Sequence, residues 1–139
     1  MTSQEIFDFV IGQLIKQKVK SIKNERCMYR CKFNDAIIKC AFGHLIPDDC
    51  YHPDMEGCSA LALIRNIPNA VSYYSYGYTW KHYVENNDWL FKNKGLITDL
   101  QNLHDGQLQT SAFDSEQFLI EAEDVARKNS LEFNKEKFI

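Results

Sequence analysis

Cysteine and histidine recur in the first third of the chain at spacings that invite a metal ion. Cys27, Cys31, Cys40 and His44 fall as C-x3-C and C-x3-H, near the separations used by structural zinc. A strand works against that reading. Across CMYRC the two thiols would share a face but stand about 13 Å apart at about 3.3 Å per residue. Two sulfurs on one zinc lie about 4 Å apart, each about 2.3 Å from the ion. Only a kinked or helical segment brings the ligands together; otherwise the cysteines are small buried hydrophobes. The expectation is no metal and no cofactor.

Other pairs offer weaker chemistry. His104-Asp105 has the form of a phosphohydrolase metal dyad, but His44, His52 and His82 do not complete an ordered ligand set. At a helix end His104 complements the dipole, and Asp105 turns the chain into Gly106. Asp48, Asp49, Asp54 and Glu56 could hold a divalent cation, yet they lack the alternating spacing and central glycine of a calcium loop. They read instead as a solvated surface beside a helix start. Cys50 and His52 have no catalytic spacing, and the chain has no serine elbow, glycine-rich phosphate loop or dinucleotide fingerprint. No catalytic residue is assigned, and the expectation is a non-enzymatic protein.

Residues 71–80, VSYYSYGYTW, pose a different question. In a strand, Tyr74, Tyr76, Tyr78 and Trp80 would share one face and Tyr73 the other. Such a row can stack a base, at about 1–3 kcal/mol per base. It can equally form a protein interface, or an aromatic minicore whose polar tips need partners. All three readings stay open.

Charge narrows the partners. Net charge is −3, with eight basic against four acidic residues up to position 40 and eight against fifteen beyond it. The basic residues gather at Lys16, Lys18, Lys20, Lys23, Arg26, Arg30 and Lys32, which could attract phosphates. An acidic chain excludes a dedicated binder of double-stranded nucleic acid. The start, MTSQEIFDFV, lacks the basic and apolar regions of a signal peptide, and no run approaches the 18 or so apolar residues of a membrane span. A cytoplasmic protein with reduced cysteines is expected.

The elements that position these residues follow from patterning. Thr2 and Glu5 form a capping box, and Ile6, Phe7, Val10, Ile11, Leu14 and Ile15 make one apolar face; this predicts a helix to about residue 21. CMYRCKF and AIIKCAF flank Asn34-Asp35 and predict a hairpin. Pro47, Asp48 and Asp49 suit the first turn of a short helix. Further helices are expected at 59–67, around Leu96–Leu103 to Gly106, and after an Asp114 or Ser115 cap. The aromatic stretch suits a strand or ordered loop, and 131–139 a strand or a fraying end. The fold class is α+β: one domain over 1–139, mostly helical, with a β-hairpin packed on N- and C-terminal amphipathic helices.

Residues 27–57 carry a resemblance more specific than any single motif. Cys27-x-Tyr29-Arg30, Lys39-Cys40-Ala41-x-Gly43, Leu45-Ile46-Pro47-Asp48, Tyr51-x-Pro53 and Met55-Glu56-Gly57 resemble a family of small uncharacterised tailed-phage and prophage proteins. Leu100-Gln101 with His104-Asp105 is also similar to that family. The resemblance implies a viral protein acting in an infected bacterium. It also implies that Cys27 and Cys40 face each other across the hairpin, and that the segment from Leu45 to Asp48 starts a short helix whose free N–H groups could receive a phosphate, with Arg30 the cation beside it. The insert around 71–91 departs from the compact members.

Together these readings lead to an expected function: a phage counter-defence protein that binds and sequesters a nucleotide-derived immune signal, as a homo-oligomer. The candidate ligand-binding residues are Arg30, Lys39, His44, Tyr74, Tyr76, Tyr78 and Trp80, the rings stacking a base and Arg30 with neighbouring lysines meeting phosphates. On this reading Trp80→Ala loses the ligand and keeps the fold. The alternative is an adaptor or inhibitor gripping a host protein through the aromatic surface. A weaker one is a metal-dependent phosphodiesterase using His104, Asp105 and the acidic cluster.

Overall fold

The computed structural model describes residues 1–23, 26–65, 75–106 and 113–139, without the side chains of 75–78. Thr2 Oγ1 accepts from the Glu5 N–H at 3.1 Å and Glu5 Oε1 from the Thr2 N–H at 3.0 Å, so the capping box starts α1 (Ser3–Gln17) as expected. The helix is shorter than the apolar pattern implied. Lys18 adopts φ 55° and closes it. The Gln17 amide then donates to the carbonyls of Val19 and Lys39 and accepts from the Lys39 N–H. That bridge turns the chain back before Val19 can add another turn.

Two small antiparallel sheets follow. β1 (Ile22–Lys23) pairs with β2 (Arg26–Cys27), and β3 (Arg30–Phe33) with β4 (Ala36–Lys39) in the register Arg30↔Lys39 and Phe33↔Ala36. Asn34 and Asp35 have φ of 48° and 66°, the two positive values that a type I′ hairpin turn requires. The strand expected across CMYRCKF is broken at Met28-Tyr29, so the hairpin proper begins at Arg30.

Helices fill the rest: α2 (Ala60–Arg65), α3 (Ser75–Asn86), α4 (Trp89–Lys92), α5 (Lys94–Asp105) and α6 (Ser115–Lys128). Asp114 caps α6 by accepting from the Gln117 N–H, and Gly106 ends α5, both as the pattern predicts. α5 is the central element, touching α1, α2, α4, α6 and the short 3-10 turn Phe42–Leu45. The fold is a mostly helical α+β arrangement around one buried apolar cluster. Among the described residues no helix is long and apolar enough to cross a membrane.

Three expectations are corrected. The aromatic stretch is helical from Ser75, so the strand face proposed for Tyr76, Tyr78 and Trp80 does not exist; Tyr74 lies outside the described residues. No helix starts at Pro47: the chain runs through a turn at Pro47–Cys50 into a second 3-10 turn, Pro53–Met55. The end neither pairs nor frays. It forms a 3-10 turn, Lys135–Phe138, that buries Phe138 and stacks it on Phe133.

Trp80 decides what the rings near it do. It is fully buried, meets Phe42 edge-on at 6.0 Å and stacks on Tyr83 at 5.7 Å. Its indole N–H donates to the Leu63 carbonyl at 2.9 Å, satisfying the polar tip that a buried Trp carries. Trp80 is therefore core and cannot stack a ligand. Trp80→Ala is expected to cost about 3–5 kcal/mol of stability, read from urea denaturation; a loss below about 1 kcal/mol would contradict this placement.

Candidate functional site

The residues of the 27–57 signature converge on one carboxylate. Glu56 accepts from the N–H groups of Tyr29 at 2.8 Å and Arg30 at 3.1 Å, and from the Tyr51 hydroxyl at 2.7 Å. The Tyr29 hydroxyl donates to the Cys58 carbonyl. A Cβ at position 43 would collide with the Tyr29 carbonyl oxygen, which restricts that position to glycine. Met55 is fully buried beneath.

The expected phosphate cradle is absorbed by the same network. Arg30 donates to the Ile46 carbonyl at 2.9 Å, pairs with Asp48 at 2.8 Å and lies 4.6 Å over the Tyr51 ring. Its side chain is only 11% exposed. Lys39 joins Asp48 at 3.4 Å, and these two cations hold the Asp48 carboxyl below the usual carboxylate range, Lys39 contributing most. Arg30 and Lys39 thus brace the chain, although Arg30 Nε is buried without a hydrogen-bond partner. His44 is half-buried with an unpartnered Nε2, and burial, reinforced by Lys39, His104 and Arg30, pushes it down to about 4. It is a neutral imidazole at physiological pH, not an anion receptor. Glu56 and Asp48 are likewise committed, and among the described residues Asp48, Asp49, Asp54 and Glu56 do not gather as a cation site.

The four-residue zinc set does not assemble either. Cys31 lies against the Ser21 hydroxyl at 3.4 Å, and Cys40 accepts from the Gly43 N–H. Cys27 also faces α5. Its Sγ is 3.9 Å from His104 Nδ1 and accepts from the Gln101 amide at 3.1 Å. Asp105 completes the group, 3.2 Å from His104 Nδ1 and 2.9 Å from Gln101 Nε2. Among the described residues this is the one group whose donor atoms could meet on a metal.

Sequence reading placed His104 at an open helix end. It is 3% exposed instead, with Ser21 N–H facing its Nε2 at 3.5 Å. That leaves Nδ1–H to donate to Asp105. The missed partner, Cys27, lies 77 residues away, so no local spacing could reveal it. Hydrogen bonding with Cys40 and burial push the Cys27 thiol far up; Cys27 sits in β2, paired with Ile22 of β1, so the two cysteines do not face each other across the β3–β4 hairpin. Burial opposes charge on both His104 and Asp105. The hydrogen bonds outweigh it, so His104 moves up and Asp105 down.

Cys27 and Asp105 lie on the floor of a cleft of about 410 Å³ between the 57–61 segment and α5. Tyr29, Ser59, Thr98 and Asn102 border it, and none of its described lining residues is Lys or Arg. Gly57, at φ 85°, makes the left-handed turn that opens its near wall. No family model, curated protein or solved structure matches the chain.

Two outcomes are expected. Glu56→Ala leaves the N–H groups of Tyr29 and Arg30 without their acceptor and should cost about 2–3 kcal/mol in chemical denaturation. The second concerns acid. His44 binds a proton near pH 6.5 when unfolded but only near pH 4 when folded. The unfolded state therefore holds the extra proton in that window, and stability falls as pH drops through it. His104, shifted the other way, contributes stability below 6.5 that is lost as pH rises through its raised value. Wild type and His44→Gln both keep His104, so the variant should lose less stability between pH 7 and 4.5, and parallel curves would remove His44 from the account.

Proposed function

We propose that the protein acts by holding a small polar ligand in the cleft between the 57–61 segment and α5, without covalent catalysis. The observation that supports this reading is a cleft bordered by polar side chains with hydrogen-bonding capacity to spare. Its volume, about 410 Å³, falls within the roughly 300–1,000 Å³ of small-molecule sites. A cysteine nucleophile must be a thiolate, and Cys27 is held as a thiol. The rim keeps unused hydrogen-bonding capacity. Ser59 accepts from the Ala62 N–H and retains its hydroxyl proton, while Thr98 donates to the Lys94 carbonyl and retains lone pairs. Asn102 is exposed, and its amide makes no side-chain hydrogen bond among the described residues.

An amide that offers a donor and an acceptor side by side complements a nucleobase edge. The ligand proposed is accordingly a base-bearing molecule. In the phage setting that the motif resemblance implies, it is a nucleotide-derived immune signal removed by sequestration. The site is moved from the aromatic stretch to the cleft, which one chain walls by itself, so a homo-oligomer is not required. A second reading, a grip on a host protein, is favoured by one observation. Met1, Phe9, Leu45, Pro47, Tyr83 and Trp89 line an apolar groove of about 310 Å³, with Phe9 40% exposed.

Isothermal titration against a panel of nucleosides, mononucleotides and cyclic dinucleotides tests the first reading. At least one member should bind, and Asn102→Ala, at an exposed position, should weaken it about tenfold, the worth of one hydrogen bond. A panel without binders, together with a host protein retained by wild type and lost with Phe9→Ser, would replace this reading with the second.

A further inference from the structure

We propose that Cys27 Sγ, His104 Nδ1 and an oxygen of the Asp105 carboxylate bind a divalent transition-metal ion of the zinc class, with its fourth coordination position open to the cleft. The three donor atoms already lie within 4.8 Å of one another. A tetrahedral ion with bonds of about 2.3 Å to sulfur and about 2.0–2.1 Å to nitrogen and oxygen spaces its ligands about 3.4–3.6 Å apart. The separations here are 3.9 Å for Cys27 to His104 and 3.2 Å for His104 to Asp105. Those two differ from the ideal by a few tenths of an ångström, and the third pair, Cys27 to Asp105, lies within 4.8 Å.

The donor chemistry selects the ion. A thiolate beside an imidazole favours zinc and its neighbours over magnesium or calcium, which prefer oxygen alone. Three protein ligands with one open position is the pattern of zinc sites that exchange a ligand. Cys27 and Asp105 border the cleft, and Asp105 is 35% exposed, which gives the ion a path in.

The surroundings orient the set. Gln101 donates to both Cys27 Sγ and Asp105 Oδ1, while its own oxygen accepts from the Phe42 N–H at 2.9 Å. Such outer hydrogen bonds hold ligands in place around a metal. Coordination releases the thiol proton and shifts the single imidazole proton from Nδ1 to Nε2. There the Ser21 N–H is 3.5 Å away, long enough for a small ring rotation to relieve two facing donors. The ion also supplies what the cleft lacks, a positive charge among lining residues that include no Lys or Arg. That last role rests on the cleft being the ligand site; the metal site itself does not.

Metal alone is the probe. Chelator-stripped wild type, Cys27→Ser, Asp105→Asn and Cys58→Ser are each titrated with Co(II), with circular dichroism checking that every variant folds. Wild type should take one ion per chain, with a thiolate-to-cobalt charge-transfer band that Zn(II) removes. Cys27→Ser should abolish the band, and Asp105→Asn should keep it while weakening binding at least about tenfold. Cys58→Ser, altering the other thiol in the cleft, should leave both unchanged. Absence of a stoichiometric ion in wild type overturns the proposal, as does a band that survives Cys27→Ser or disappears with Cys58→Ser. If Cys27→Ser does not fold, wild-type stoichiometry and the Asp105→Asn affinity decide the matter. An ion that binds while the nucleotide panel does not would leave this site standing and remove only the ligand reading.

Discussion

Consecutive main-chain N–H groups of an extended strand point to opposite sides, so a carboxylate that takes two of them bends the chain at that point. Glu56 does this to Tyr29 and Arg30, and much of the structure follows from the bend. Before it, Cys27 faces α5. After it, Arg30 starts the hairpin and turns its guanidinium toward Ile46 and Asp48. Tyr29, at the bend, drives its ring against Phe42 at 5.6 Å, and Phe42 carries the contact on to Trp80. The separation that argued against shared zinc ligands in CMYRC assumed a straight strand. The bend removes that assumption, yet it sends the two thiols to different neighbours, so the metal-capable group forms with α5 instead of within the hairpin.

Local signals were legible where the deciding interactions are local. Thr2 and Glu5 satisfy each other three residues apart, Asn34-Asp35 tolerates two left-handed conformations, and Asp114 caps its own helix. Each names an element from within a few positions. The failures share the opposite property. Ser75–Asn86 is rich in Tyr, Thr and Trp, residues that lean toward strands when packing is ignored. It is a helix because Trp80 finds Phe42, Tyr83 and the Leu63 carbonyl in the core, and tertiary packing overrides so weak a preference. The end of α1 was misplaced for a similar reason: Gln17 is bonded to Lys39, 22 residues on.

The signature residues divide by what remains of their bonding capacity. Glu56 spends its carboxylate on two amides and a hydroxyl, Arg30 is enclosed between a carbonyl, a carboxylate and a ring, and Gly43 is defined by the space it leaves. These act as folding constraints. Cys27, His104 and Asp105 are different. A fold could fill that volume with a small apolar side chain and avoid burying an imidazole at 3% exposure beside a carboxylate, which is costly unless each polar group is matched.

That contrast locates chemistry more firmly than the aromatic stretch does. Rings attract attention in a sequence because they are large, but size is also what makes them core, and Trp80 is fully buried with its polar atom matched. A buried thiol, imidazole and carboxylate add little apolar area. Their arrangement is held by Gln101, whose oxygen is tied to the Phe42 main chain in the turn that meets the bend at Tyr29. The group is therefore tied through Gln101 and Phe42 to the bend that the Glu56 clamp sets, so residues within 27–57 shape the hairpin and line the cleft at once.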